Sequence, residues 1–205
     1  MEILNTCFSR DQWDLERLKN IRRLSSMRKM STVAVGAFVN RFVASLPPDQ
    51  AYLNIGVWRG YSLFVGMLGN PGKRCIGVDN FVQFGGPRRQ FLRRFEQYRS
   101  PCHQFFDMDW RAYFAREHRG LIGIYFYDAE HDEHSQFQAL ELAAPFMAPG
   151  GIILIDDTNW DGPRKALVTF LSAHPEYELL YDISTAGNCH PTYWNGLMVA
   201  RKRCL

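Results

Sequence analysis

At 205 residues the chain has room for one sizeable α/β domain and hardly for two. With 46% hydrophobic, 22% charged and 14% aromatic residues its composition is that of a soluble globular protein, and a formal charge of +3 is too small to argue for nucleic acid. The apolar runs, such as Leu121 to Tyr127, have strand length and fall far short of a membrane span. Five scattered cysteines (Cys7, Cys75, Cys102, Cys189, Cys204) fit reduced thiols in a cytosol better than a disulfide or zinc framework. Met1 to Arg10 has no apolar core between a basic end and a cleavage site, so no signal peptide is expected and the cytoplasm is the expected location.

In chain order, Leu15, Leu18, Ile21 and Leu24 recur near helical spacing, and Val33, Val35, Phe38, Val39 and Phe42 repeat the pattern. Residues 1–46 are therefore expected to be a helical extension packed on the domain formed by residues 47–205. Pro47-Pro48 stops the second helix. From Tyr52 short apolar runs alternate with helical patterns. Tyr52–Ile55, Arg74–Val78, His103–Phe106, Ile122–Tyr127 and Gly151–Ile155 are the expected strands, which predicts an α/β fold with a mostly parallel, doubly wound sheet. Arg88, Arg89, Arg93, Arg94 and Arg99 share one helix with Phe91, Leu92, Phe95 and Tyr98. A solvated basic face opposite an apolar stripe explains them better than a surface for an acidic substrate. Asn80–Pro87, with Gly85-Gly86, reads as a lid. Tyr177–Asp182 and Gly196–Arg201 are two further strands, joined by the loop Ser184–Asn195.

Asn54-Ile55-Gly56-Val57-Trp58-Arg59-Gly60-Tyr61-Ser62 stands where the first strand turns into a helix. A glycine at each end lets the backbone approach a ligand closely. The spacing Gly56-x-x-x-Gly60 departs from the dinucleotide GxGxxG fingerprint and disfavours NAD. The second strand ends on Asp79, where a carboxylate can accept hydrogen bonds from both hydroxyls of a ribose.

Ile124-Tyr125-Phe126-Tyr127-Asp128-Ala129-Glu130-His131 is an apolar strand running into acids, and Gly151-Ile152-Ile153-Leu154-Ile155-Asp156-Asp157 repeats the arrangement after a Pro149-Gly150 turn. If the two strands are neighbours their ends lie about 5 Å apart. Asp128, Asp156 and Asp157 then crowd together and need a positive partner. An oxygen-only cluster suits a hard divalent cation such as Mg²⁺, with His131 and His134 ranked lower as ligands. The alternative is structural: Asp157 caps a helix and Asp128 bonds a loop.

These stretches, with Gly162-Pro163-Arg164-Lys165-Ala166 and Tyr193-Trp194-Asn195-Gly196-Leu197, have the order and spacing of class I S-adenosylmethionine-dependent methyltransferases. Over residues 50–200 the chain resembles, more narrowly, the macrocin and novobiocin sugar O-methyltransferase type. The resemblance implies a Rossmann-like fold with S-adenosylmethionine held by Asn54, Gly56, Gly60, Tyr61, Ser62, Asp79 and Asp128, and Asp109, with Asp107 as competitor, near the adenine. It implies Mg²⁺ on Asp128, Asp156 and Asp157, and a general base at Glu130. Asn54 replaces an acid common in the family, and Ala129-Glu130 replaces Gly-Asp.

The chemistry implied is methyl transfer to a hydroxyl of a small molecule. The cation lowers the hydroxyl's pKa, and Glu130 or His131 takes the proton. No nucleic-acid or membrane partner is expected, and a homo-oligomer stays open because the N-terminal helices can pack between subunits or over the site. The rival readings are a metal-independent methyltransferase, a hydroxylase on the same fold, and an inactive cofactor-binding partner subunit.

Overall fold

The computed structural model describes residues 15–24 and 26–204, with side chains from residue 19 onward. Cys7 and the Met1–Arg10 stretch lie outside the described residues. Helix α1 (Leu15–Leu24) and helix α2 (Val33–Ser45) precede the sheet. Thr32 starts α2 by accepting a hydrogen bond from the Val35 amide at 3.2 Å, and α2 ends where Leu46 meets Pro47-Pro48. Strand β1 (Gln50–Ile55) is followed by α3 (Tyr61–Met67), β2 (Arg74–Asp79), α4 (Arg88–Tyr98), β3 (His103–Asp107) and α5 (Trp110–Arg116). Then come β4 (Leu121–Tyr127), α6 (Glu133–Ala143), β5 (Met147–Asp156), α7 (Asp161–Ala173), β6 (Tyr177–Ile183) and β7 (Leu197–Lys202).

The seven strands form one sheet in the order β3-β2-β1-β4-β5-β7-β6. All pairs are parallel except β5–β7 and β6–β7. Successive residues serve opposite faces, as the period of a strand requires. Tyr52, Phe126 and Leu154 join the core under α1–α4, while Leu53, Tyr125 and Ile153 join the core under α5–α7. Val35, Phe38, Val39 and Phe42 of α2 sit in the first of these cores, against α3. The sheet is thus doubly wound, with both faces covered. No helix among the described residues is long and apolar enough to cross a membrane.

One expected boundary moves. The Pro149-Gly150-Gly151 stretch is not a turn ahead of β5 but lies within it, because Met147 already pairs with Ile122. The register then shifts between Ile122 and Ile124, and Gly150 absorbs the bulge at φ +76°.

The chain runs outward from β1 to β3, then returns to place β4 on the other side of β1. Helices leave the sheet in opposite senses there, and a crevice opens at the carboxyl ends of β1 and β4. Gly56 keeps that crevice narrow at its base: a Cβ on it would lie 1.8 Å from the Asp128 carbonyl oxygen, and its φ is +78°.

Candidate active site

The turn after β1 is tied to β2 through Asp79. Its Oδ2 accepts from the amides of Val57 (2.9 Å) and Trp58 (2.7 Å), and its Oδ1 from the amide of Phe81 (2.7 Å). Burial pushes the Asp79 carboxyl up, and these three N–H groups pull it partly back. Trp58 takes the left-handed conformation at φ +44°, and its indole N–H donates to the Phe84 carbonyl (3.1 Å), linking the turn to the Asn80–Pro87 loop. Gly60 starts α3 at φ +96°, where a Cβ would meet the Phe64 ring at 2.3 Å.

Two cavities open at the crevice. The first, about 510 Å³, is bounded by Gly56, Asp79, Asp128 and Glu130, with Phe81, Met108 and Trp110 as apolar walls. The second, about 700 Å³, lies beyond Trp58, Phe84 and Asp128, which line both. Of the residues expected to hold the cofactor, Gly56, Asp79 and Asp128 reach the first cavity. Tyr61 and Ser62 line the second instead, because α3 points its first turn toward the N-terminal segment; Tyr61 Oη donates to the Thr32 carbonyl at 2.9 Å.

Asn54 lines neither cavity. It is wholly buried under the turn, its Nδ2 makes only long contacts of 3.4–3.5 Å, and its Oδ1 has no partner. Asp109 caps α5 by accepting from the Arg111 amide (2.8 Å), so its neighbours Met108 and Trp110 face the cavity in its place. Asp107 pairs with Arg88. Arg89 and Arg93 are exposed and Arg99, just past α4, pairs with Glu96 (2.9 Å), but Arg94 is half-buried with its Nη1 buried and without a partner; Phe91 and Phe95 are buried.

Glu130 stands in the first cavity and not in the second. Its Oε2 accepts from Trp110 Nε1 (2.8 Å) and Tyr127 Oη (3.0 Å), and Arg111 lies 3.4 Å from its Oε1. Burial acts to raise this carboxyl, but the indole, phenol and guanidinium together hold it below the ordinary range. The expected base is thus a tethered carboxylate that lines the first cavity, with Asp128 between it and the second.

The acidic corner differs from the expected one. Asp128, Asp157 and His131 bring ligand atoms within 4.8 Å of one another, and Asp156 does not belong to that group. His131 Nε2 lies 2.8 Å from Asp157 Oδ2 and 3.6 Å from Asp128 Oδ1, but neither contact has hydrogen-bond geometry and the atom is otherwise without a partner. Burial acts to lower the imidazole, yet the two carboxylates override it and raise it to about 10. Asp156 is buried, accepts from the Asp157 amide (3.0 Å), and is pushed well up by burial, with Asp128 and Asp157 adding to the push. His134 is exposed in the first turn of α6.

Asp157 does not cap α7. It sits at φ +58°, a conformation aspartate tolerates better than most residues, and its Oδ1 accepts from Asn195 Nδ2 at 2.6 Å. Asn195 is itself buried, and its Oδ1 accepts from the Cys189 amide at 2.7 Å. Gly162 lets the start of α7 approach the loop that carries His131, for a Cβ there would lie 2.2 Å from the His131 carbonyl oxygen. Asn195, Trp110, Trp160 and the Lys29–Ser31 segment reach the cavities without having been assigned from sequence. Asn195 meets Asp157 across 38 positions, a separation no local pattern encodes.

Residues 53–158, just over half of the chain, match the family described as a methyltransferase domain. No curated protein matches the sequence. Among solved structures, the O-methyltransferase from Bacillus cereus in complex with SAH is 14% identical at a TM-score of 0.67, covering 95% of this chain and 94% of that one. The O-methyltransferase TomG from Streptomyces achromogenes, in complex with SAM, is 15% identical at 0.64, over 93% and 91%. The calicheamicin methyltransferase CalS11 is 14% identical at 0.59, over 91% and 80%. At such identities these likenesses concern the fold. Together with the family match they establish that the chain belongs to the methyltransferase-domain family and has the Rossmann-like fold of S-adenosylmethionine-dependent methyltransferases.

Proposed function

We propose that this chain moves the methyl group of S-adenosylmethionine to a hydroxyl oxygen of a small molecule, with the cofactor in the first cavity and the acceptor in the second. The observation that carries the reading is that the two cavities adjoin: Trp58, Phe84 and Asp128 line both, so ligands in the two would lie side by side. Methyl transfer needs such a meeting, because the carbon–oxygen bond forms as the carbon–sulfur bond breaks, in line. Holding both reactants there supplies much of the acceleration. Asp79, Asp128 and Glu130 give the first cavity a negative rim that suits a sulfonium and an ammonium group. Trp110 and Met108 give it a flat apolar wall for a purine.

The corner of Asp128, Asp157 and His131 fits a divalent cation: two carboxylates face a buried imidazole nitrogen that has no other partner, and while the carboxylates suit Mg²⁺, ligation by the imidazole shifts the preference toward a softer ion such as Mn²⁺ or Zn²⁺. A cation held there would lower the pKa of an acceptor hydroxyl. Without one, His131 carries the compensating charge as an imidazolium, with both ring nitrogens protonated, and cannot accept the leaving proton. His131 is therefore assigned to charge balance or ligation, and the leaving proton to Asp128, Asp157 or water. One imidazole and two carboxylates do not make the two-histidine, one-carboxylate set of an Fe(II) hydroxylase among the described residues. The free cysteines Cys75, Cys102, Cys189 and Cys204 accord with a reducing compartment such as the cytosol.

The test is methylation of a panel of hydroxylated acceptors, with and without EDTA. Product formation abolished by EDTA and restored by Mg²⁺ supports the full reading. Product unaffected by EDTA removes the metal and keeps the transferase. No product and no cofactor binding sink both.

A further inference from the structure

The two carboxylates expected near an adenine are spent elsewhere. Asp109 Oδ1 accepts from the Arg111 amide at 2.8 Å and the Ala112 amide at 3.4 Å, Asp107 pairs with Arg88, and neither lines the first cavity. The carboxylate that does stand at the Trp110 wall is Glu130, whose Oε2 holds the indole N–H at 2.8 Å. Tyr127 Oη donates to the same oxygen at 3.0 Å, and the Arg111 guanidinium lies over the indole, 4.0 Å from its centroid. The hydrogen bond at Oε1 is a long one, 3.4 Å from Arg111 Nη1, so this oxygen keeps capacity to accept from a ligand. Against the pull of burial, the indole, the phenol and the guanidinium keep the group ionised.

Resting on the assignment of the first cavity to S-adenosylmethionine, we propose that Glu130 Oε1 accepts a hydrogen bond from the 6-amino group of the adenine, and so selects the purine where sequence position suggests a base. That amino group is the one N–H donor of an adenine joined to ribose, and an ionised carboxylate recognises donors alone. The cofactor's other donors belong at other ends of the cavity. The reacting end belongs where the two cavities adjoin, at Trp58, Phe84 and Asp128, and Glu130 is absent from the second cavity's wall. The ribose hydroxyls belong at the tip of β2, with Asp79. Asn80 and Gln83 also line the first cavity, but they are uncharged, exposed members of the loop after β2, and Asn80 Oδ1 already accepts from the Val82 amide at 3.1 Å. Beside the purine wall of Trp110 and Met108 stands the Glu130 carboxylate. With Oε2 fixed by two donors, Oε1 is held in a set place before the ligand arrives, which lowers the ordering cost of the contact.

The experiment is calorimetric titration of the whole chain with S-adenosylhomocysteine and with its 6-deaminated analogue, which carries hydrogen in place of the amino group. The chain is expected to bind S-adenosylhomocysteine at least about ten-fold more tightly, the size of a hydrogen bond to a charged group. In Glu130→Ala that ratio is expected to fall to about one. A role exerted only through Trp110 would weaken both ligands alike and keep the ratio, so the ratio separates a direct contact from a tether. Should Glu130→Ala fail to fold, Glu130→Gln decides. Its oxygen stays with Trp110 and Tyr127 while its amide nitrogen takes the place of Oε1 and opposes the adenine amino group, so S-adenosylhomocysteine weakens and the ratio again falls toward one. The proposal is overturned if the unaltered chain binds the two ligands equally, or if the ratio survives in the variant; the cofactor reading stands in either case. No binding of S-adenosylhomocysteine by folded protein is the separate result that ends that reading and this proposal with it.

Discussion

Replacing Asp79 by asparagine keeps the side-chain volume and removes the charge, which isolates the electrostatic work of this carboxylate. In the folded chain it accepts three backbone hydrogen bonds, at 2.9, 2.7 and 2.7 Å, from Val57, Trp58 and Phe81. A hydrogen bond to a charged group contributes roughly 1.5–3 kcal/mol, and one between neutral partners about 1 kcal/mol. Asparagine can keep its oxygen on the Val57–Trp58 pair, with both bonds weakened. Its amide then points donor to donor at the Phe81 N–H, leaving that group unsatisfied. Weakening two bonds and losing the third costs about 2–4 kcal/mol, and removing a buried charge offsets part of that, so the predicted net loss is about 1–2 kcal/mol. Urea unfolding followed by circular dichroism should show a lower midpoint at an unchanged slope. Binding of S-adenosylhomocysteine should weaken at least about ten-fold, because the turn and the strand it docks on form one wall of the first cavity. An unchanged urea midpoint would refute the reasoning, for it would mean that the carboxylate does not hold the turn.

Gly56→Ala forces a Cβ to within 1.8 Å of the Asp128 carbonyl at a φ of +78°; strain and overpacking together should cost about 2–4 kcal/mol and open the crevice, read as loss of cofactor affinity by calorimetry. Asn195→Leu strips Asp157 Oδ1 of its 2.6 Å donor, so metal affinity measured by calorimetry should fall at least about ten-fold with cofactor affinity preserved, and Asn195→Gln should fail to restore it because its amide is displaced. His118 predicts the acid limb of stability. Burial lowers its imidazole to about 4, so below about 6.5 the unfolded chain takes up a proton that the folded chain refuses. Stability is therefore lost as pH falls from about 6.5 to about 4, by at most about 3 kcal/mol, and His118→Gln should flatten that part of the urea-midpoint profile.

Period and punctuation carried most of the fold. The apolar runs Tyr52–Ile55 and Ile122–Tyr127, and the helical spacing of Val33 to Phe42, reappear as β1, β4 and α2 with small changes at their ends. The Pro-Gly-Gly stretch misleads because the same residues that make a turn also make a bulge, and only the pairing of Met147 with Ile122 decides between them. The glycine turn, Asp79, Asp128 and Asp157 were legible because strand ends in a doubly wound sheet gather at one edge. Which acid of the Asp156-Asp157 pair faces the crevice was not legible: it depends on the left-handed φ of Asp157 and on Asn195, far along the chain. Glu130 reads as a base on its position after β4, yet the Trp110 indole, which closes in only when α5 packs on the sheet, turns it to the other cavity.

The central claim is that the crevice between β1 and β4 holds S-adenosylmethionine, and calorimetric titration of the purified chain with S-adenosylhomocysteine tests it most directly. The account predicts one site per chain with micromolar affinity, weakened by Gly56→Ala and Asp79→Asn and indifferent to Trp160→Ala. Binding that ignores Gly56 and Asp79, or no binding by protein shown to be folded, would contradict it.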